Sequence, residues 1–381
     1  MMLNLLFGSV IALFVLGGIA GLVHLRWARR LPELRDLPPA NENLSCSVVL
    51  AARNEEARIE RTVRHLQKQI GVTLEIVAVN DRSTDRTGAI LAQLAAEDPR
   101  LRVAIVDSLP ENWLGKCHAC HTGATMARSE WILFTDADCW LADDAVARAL
   151  MVAQREGADH ITLAPGFAVE KFVARAWYLL FLTSLLDWMS AVNRNRPKSH
   201  LGIGAFNLVR SSAYRSCGGY EALRLSVVDD VKLGLLLSRG GFRTRAFLGG
   251  NDVECHWGHT MTEIVRVMEK NYFAILDFRI FLVVTGSLFA LAVFSTIIAG
   301  LLFFTPLGIA AALSPFAFAL PAAVIARRIG WPWHAALGVP FMFPVFLYAL
   351  FNSTYVTLRQ GGIRWRETFY PLTQLRAGGV K

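Results

Sequence analysis

Trp131-Ile132-Leu133-Phe134-Thr135-Asp136-Ala137-Asp138 is the stretch that decides the fold. Apolar residues in direct succession, without a helical period, read as a strand buried on both faces, and the two carboxylates stand where that strand must end. Short apolar runs of the same kind precede it at Ser47 to Ala52, Leu74 to Val79 and Leu101 to Val106. Between and after them lie segments of helical character: Glu55 to Gln69, Thr84 to Ala96, Lys116 to Ala127 and one from about Asp143. Strand alternating with helix predicts an α/β domain with a mostly parallel, doubly wound sheet. Ligands collect beyond the carboxyl ends of such strands. Arg53-Asn54-Glu55, Asp81 and Asp136-Ala137-Asp138 each follow a predicted strand, so they are expected to converge on one edge.

The chemistry of these acids has two readings. In an extended Asp136-Ala137-Asp138 the carboxylates point to opposite faces, so one orients ribose or protein while the other reaches a divalent cation. Hard oxygen ligands suit Mg²⁺ or Mn²⁺, whose remaining positions are filled by phosphate oxygens and water. Helix capping by Asp138 or Asp143 explains the same residues without chemistry. Asp81 ends its strand, and Ser83 and Thr84 are suited to cap the helix that follows, which leaves Asp81 free to accept hydrogen bonds from a base or ribose. Asp229-Asp230 follow two glycine-rich stretches, Gly202-Ile203-Gly204-Ala205-Phe206 and Cys217-Gly218-Gly219-Tyr220, and open a helical segment. Paired acids there complement the helix dipole. They also raise the proton affinity of one member, as a general base acting on a hydroxyl requires.

Around this domain the chain is greasy. Its 381 residues are 54% hydrophobic and 18% charged, with a mean hydropathy of +0.38, too apolar for an average soluble protein. Met2 to His24 is long enough to cross a bilayer, and the arginines that follow it (Arg26, Arg29, Arg30) predict an uncleaved anchor with the next segment in the cytoplasm. Ile280 to Phe304, Leu307 to Ile325 and Pro332 to Leu358 repeat the pattern. The expected organisation is therefore an anchor over 1–25, a linker over 26–45 containing Pro38-Pro39, a catalytic domain over 46–279, a membrane region of two to three spans over 280–358 and a basic tail over 359–381. Ala176 to Val192 is also apolar but contains Asp187, and a crossing there would separate Asp136 from Asp229. It is expected to lie on the membrane surface or to line an acceptor groove.

The net charge of +8 gathers near the membrane ends, as attraction to anionic lipid requires. Acids are interleaved with these bases and no recognition motif accompanies them, which argues against nucleic acid. The six cysteines are expected to be reduced thiols. Cys117-His118-Ala119-Cys120-His121 satisfies the spacing of c-type haem attachment and offers soft ligands for zinc, but haem attachment needs export. Its residues are expected to pack.

Taken in order, these motifs resemble those of the family 2 glycosyltransferases, over roughly residues 45 to 275. The resemblance implies the GT-A nucleotide-sugar fold. Ala52, Arg53, Asn54, Glu55, Asp81 and Ser83 would contact the nucleotide, Lys116 the phosphates and Asp136 the ribose and metal. Asp138 would hold Mg²⁺ or Mn²⁺, and Asp230 would be the catalytic base supported by Asp229. The membrane ends and the segments Gly204-Ala205-Phe206-Asn207-Leu208 and Gly361-Gly362-Ile363-Arg364-Trp365-Arg366 are similar to those of members that act on lipids, such as ceramide and bacterial hopene-associated glycosyltransferases. A nucleotide-diphosphate sugar donor, a membrane lipid acceptor (hopanoid or another glycolipid precursor) and a bacterial inner-membrane location are implied. The family's Gln/Arg-x-x-Arg-Trp motif after the base is not reproduced, which leaves Gly204, Phe206, His256, Trp257, Arg266 and Lys270 as candidates for acceptor or phosphate contact. Transfer to a polyprenyl phosphate, polysaccharide synthesis and a non-catalytic membrane scaffold are the alternatives.

Overall fold

The computed structural model describes residues 1–28, 33–36 and 44–380; Arg29-Arg30, most of the expected linker with Pro38-Pro39, and Lys381 lie outside the described residues. The chain divides into two compact units. One comprises Leu31–Ala168, Ala191–Trp257 and Thr373–Lys381, the other Met1–Arg30, Val169–Ser190 and Gly258–Leu372.

Among the described residues, the first unit is built on eight strands: β1 (Ser45–Ala52), β2 (Thr73–Asp81), β3 (Leu101–Val106), β4 (Trp131–Asp136), β5 (Cys139–Leu141), β6 (His160–Phe167), β7 (Asn207–Arg210) and β8 (Thr244–Cys255). Their order in the sheet is β3-β2-β1-β4-β7-β6-β8-β5. The first four are parallel neighbours, and the uninterrupted apolar runs explain why: Val48, Val49, Leu50, Ile76, Val77 and Leu133 are fully buried, as both faces are covered. Helices Ile59–Gln67, Thr87–Glu97, Gly115–Met126 and Ala145–Glu156 make the crossovers. The sheet is mostly parallel but not wholly so. β7 runs antiparallel to both β4 and β6, and β5 is antiparallel to β8.

Register sets the site. Ala51 pairs with Asp136 and Ala52 with Asn80, so β1, β2 and β4 end level with one another. Two helices start later than their sequence pattern predicts, for one reason. The amides of Glu55 and Glu56 are taken by Thr87 Oγ1 (2.8 Å) and Asp85 Oδ2 (3.1 Å), and the amide of Arg86 by Glu56 Oε2 (3.1 Å). These residues lace two loops together instead of entering helices, which then begin at Ile59 and Thr87.

The second unit is helical. Its long elements are Met2–Ala28, most of Phe172–Asn193, Met261–Ile275, Ile280–Phe303 and Val339–Gln360, followed by a hairpin of β9 (Gly362–Trp365) and β10 (Thr368–Pro371). The run from Pro306 is not one straight helix: Ser314-Pro315 opens a 3-10 turn to Phe318 before Ala319–Arg328 resumes. Phe14, Phe318 and Phe343 meet edge to face at centroid distances of 5.5 to 6.1 Å and tie three of these segments together. Among the described residues, five segments are long and apolar enough to cross a membrane: Met2–Arg26, Phe172–Asn193, Ile280–Phe303, Pro306–Arg328 and Trp333–Gln360.

Phe172–Asn193 is thus longer than Ala176 to Val192, and length no longer argues against crossing. Asp187 no longer does either, since His24 Nδ1 stands 3.0 Å from its carboxylate. What excludes a simple crossing is connectivity. β6 before the helix and β7 after it pair in one sheet, and residues 194–206 form no second membrane-crossing helix.

Candidate active site

Lys116 joins the carboxylates from distant parts of the chain. It stands at the second position of helix Gly115–Met126, with Nζ 2.7 Å from Asp136 Oδ1 at the end of β4 and 3.7 Å from Asp229 Oδ2 at the start of helix Asp229–Arg239. Asp229 Oδ2 also accepts the Tyr220 hydroxyl at 3.0 Å. Asp230 Oδ2 accepts the amide of Gly204 at 2.8 Å, and its Oδ1 the amide of Val231 at 2.8 Å. A Cβ on Gly204 would come within 2.6 Å of Asp136 Oδ2 and 3.4 Å of Asp230 Oδ2, so these two carboxylates flank the same glycine.

The charges are unevenly compensated. Burial, and then the charge of Asp229, push the Asp230 carboxyl up to about 6, with Lys116 opposing. Asp138 is likewise pushed up to about 6 by burial, then by Asp136 and Glu55, with Arg58 opposing. Burial works against the Lys116 ammonium, yet Asp136, Asp229 and Asp230 together hold its affinity for the proton well above the ordinary lysine value. Asp138, with the charges of Asp136 and Glu55 acting on it, offers oxygen donors of the kind that suit a hard divalent cation such as Mg²⁺ or Mn²⁺.

The two loops proposed for nucleotide contact are one structure. Asn54 sits in the left-handed region (φ 54°); its Oδ1 accepts the Thr84 amide at 2.8 Å, and its amide donates to Ser83 Oγ at 3.1 Å. Asp81 is buried and gripped by Arg82 through Nε at 2.7 Å and Nη2 at 3.0 Å. Gly115 lies against this pair, since a Cβ there would come 2.5 Å from Arg82 Nη2 and 2.6 Å from Asp81 Oδ2. Asp81 is therefore already engaged within the protein, where the sequence left it free for a base or ribose.

Most of the other candidate residues are engaged within the fold. Phe206 is fully buried, and its carbonyl accepts Thr162 Oγ1, so it is core and not an acceptor surface. Ala52 is also fully buried; it fixes the strand end. Gly204 acts through its amide on Asp230. The His256 amide donates to the Asp138 carbonyl at 3.1 Å and its ring packs on Trp140, while Trp257 meets Phe167 edge to face. Arg266 and Lys270 belong to the helical unit, where Lys270 lies 3.7 Å over the Trp365 ring, so Arg364-Trp365 anchors a hairpin there. Cys117 and Cys120 are buried and Cys117 Sγ donates to the Ser226 carbonyl, which matches packing and not haem attachment. Sequence reasoning missed Tyr220, Arg82 and the buried chain Asn207-His160-Thr244 (both contacts 3.1 Å), which ties β7 to β6 and β8. Burial pushes the neutral His160 down to about 4.

Residues 47–218 match the family model Glycosyl transferase family 2. Two curated relatives, both 4,4'-diaponeurosporenoate glycosyltransferases of Staphylococcus aureus, are 27% identical: strain bovine RF122 / ET3-1 over 194 residues (50% of this chain and 50% of the relative), and strain MRSA252 over 192 residues (49% and 50%). The chain spans about half the length of the curated relatives it matches. Their names specify a carotenoid-type acid, not a hopene. Among solved structures, the mannosyltransferase PcManGT from Pyrobaculum calidifontis, in complex with GDP-Man and Mn²⁺, covers 94% of this chain and 99% of its own at a TM-score of 0.56 and 18% identity, which is a likeness of fold. The family model thus matches the part of the chain that carries the Lys116, Asp136 and Asp138 segments.

Proposed function

We propose that the protein is a membrane-bound, inverting glycosyltransferase that moves a sugar from a nucleoside diphosphate sugar to a lipid acceptor. The observation that carries this reading is the meeting of Lys116, Asp136, Asp229 and Asp230 at the strand ends of a family 2 domain. In the reaction the acceptor oxygen bonds to the anomeric carbon while the bond from that carbon to the diphosphate breaks. Asp230 takes the acceptor proton; an ordinary aspartate is too weak a base, and one raised to about 6 is better matched to neutral pH. The Gly204 and Val231 amides fix the orientation of its carboxylate. Asp229, held by Tyr220, supports it through charge. Lys116 offers its ammonium towards the phosphates, and the loops around Arg53-Asn54-Glu55 and Asp81-Arg82-Ser83 would take the nucleoside. A Mg²⁺ or Mn²⁺ ion, held by Asp138 and Asp136, would neutralise charge on the departing diphosphate.

Membrane attachment is supported by the helical unit, whose apolar side chains face outward: on Ile280–Phe303, Leu288, Phe289, Leu291 and Leu302 are 60 to 78% exposed. Arginines after the first helix support a cytoplasmic catalytic domain in a bacterial cell membrane. An apolar acceptor follows from this setting, and the relatives' names favour a carotenoid-type lipid while leaving hopanoid as the alternative. The test is transfer of labelled sugar from UDP- or GDP-sugars into organic-extractable product by the full chain in nanodiscs containing candidate lipids and Mn²⁺. Asp230→Asn is expected to slow transfer by roughly 10²- to 10⁴-fold while donor binding persists. Wild-type rates in that variant, or transfer to water-soluble sugars alone, would sink the proposal.

A further inference from the structure

We infer that Asp138, Cys139 and Cys255 form a binding site for a soft divalent metal, Zn²⁺ or Cd²⁺, separate in chemistry from the hard-cation site. The antiparallel register of β5 and β8 places Cys139 directly opposite Cys255, both sulfurs are buried, and they lie 3.7 Å apart. Asp138 Oδ1 stands 3.8 Å from Cys139 Sγ, and the three donor atoms all fall within 4.8 Å of one another.

These separations match a tetrahedral ion. Two thiolates at about 2.3 Å from zinc stand about 3.8 Å apart at the tetrahedral angle, and a thiolate and a carboxylate oxygen about 3.5 Å. Forming a disulfide would instead require the sulfurs to close to about 2.05 Å. The Cys139–Cys255 and Asp138–Cys139 pairs need little movement to take the metal, which displaces the two thiol protons to solvent as it binds. The scaffold is rigid: strand pairing holds both cysteines, and the His256 amide holds the Asp138 carbonyl at 3.1 Å. Three protein ligands leave a fourth position for water, as in open zinc sites. Thiolate donors select Zn²⁺ and Cd²⁺ over Mg²⁺ and Mn²⁺. Because Asp138 serves both sites, a soft ion here would antagonise Mn²⁺; that consequence rests on the proposed function, whereas the binding does not.

The experiment uses the full chain in detergent, reduced with a phosphine and stripped of metal by chelation. Titration with Cd²⁺ should give near-ultraviolet thiolate-to-cadmium absorbance saturating at one ion per chain, reversed by Zn²⁺. Cys255→Ser should abolish the absorbance, and Cys117→Ser should leave it unchanged. No absorbance in the wild-type chain, or full absorbance in Cys255→Ser, would overturn the site. A second measurement needs no substitution: mapped alkylation of the wild-type protein should slow at least tenfold at Cys139 and Cys255 when Zn²⁺ is present, with Cys217 unaffected. Equal rates with and without Zn²⁺ at the first two would also overturn it.

Discussion

Lys116→Met removes the ammonium that gathers the carboxylates while keeping most of the side-chain volume. Two unit charges about 4 Å apart are worth about 4 kcal/mol at an effective dielectric of 20, and breaking a buried pair typically costs about 3 to 5 kcal/mol. The Asp136 side chain is 36% exposed, so its contact is partly screened and the low end, about 3 kcal/mol, is expected. At about 2 to 4 °C per kcal/mol, the melting temperature of the domain should fall by about 6 to 12 °C. The pH dependence follows from sign. Asp230 is raised from 3.8 to about 6, so its ionisation opposes folding: the stability held by its protonated form is complete below 3.8 and is lost as pH rises through 6. Lys116 limits that rise, and without it the loss extends to higher pH. The variant should therefore be nearest to wild type at pH 5 and furthest at pH 8. With Asp230 as the proposed base, the rate should climb as it deprotonates, and that limb should move by about one pH unit to the alkaline side, equivalent to about 1.4 kcal/mol. Thermal unfolding in detergent from pH 5 to 8.5, with initial rates over the same range, reads both. An equal melting decrement at pH 5 and pH 8, with an unmoved rate limb, would refute the reasoning.

Gly204→Ala puts a methyl 2.6 Å from Asp136 Oδ2 and 3.4 Å from Asp230 Oδ2; transfer should fall by at least tenfold while the melting temperature changes by only a few degrees, and wild-type kcat would contradict the placement. Asp138→Asn removes the carboxyl raised by burial and then by Asp136 and Glu55, so Mn²⁺ binding followed by electron paramagnetic resonance should weaken by at least tenfold; unchanged binding would place the cation elsewhere.

The parallel half of the sheet was legible because burial on both faces writes unbroken apolar runs, and Leu101–Val106 falls where its run does. β7 was not: it has four residues, begins with Asn207 and ends with Arg210, and its direction depends on partners far away in sequence. The acidic clusters could be read as site residues because strand ends and helix starts are where charge is placed. Convergence on one edge could be expected as well, but not the ion pairs, since only the folded chain brings Lys116 between Asp136 and Asp229. Phe206 misled for the opposite reason: a motif match says which residue type recurs, whereas its burial shows that packing explains it. The Cys139 and Cys255 pairing is invisible to spacing, because it needs the register of β5 on β8.

Helix Phe172–Asn193 tests how connectivity outranks composition. With 22 residues and an apolar sequence it meets the requirements for a span, and His24 gives Asp187 a partner at 3.0 Å. Yet β6 ends at Phe167 and β7 begins at Asn207, and the two strands pair. If the helix crossed, residues 194–206 would have to return through hydrocarbon without a helix, leaving backbone amides and carbonyls unsatisfied at several kcal/mol each. Lys171 and Arg196, exposed on either flank, must then face the same side of the membrane. Single cysteines placed at Lys171 and Arg196 should react equally with a membrane-impermeant maleimide from one face of oriented vesicles, and neither from the other. Labelling of the two from opposite faces would mean that the helix crosses, and that a sheet joining β6 to β7 cannot exist in the membrane-bound protein.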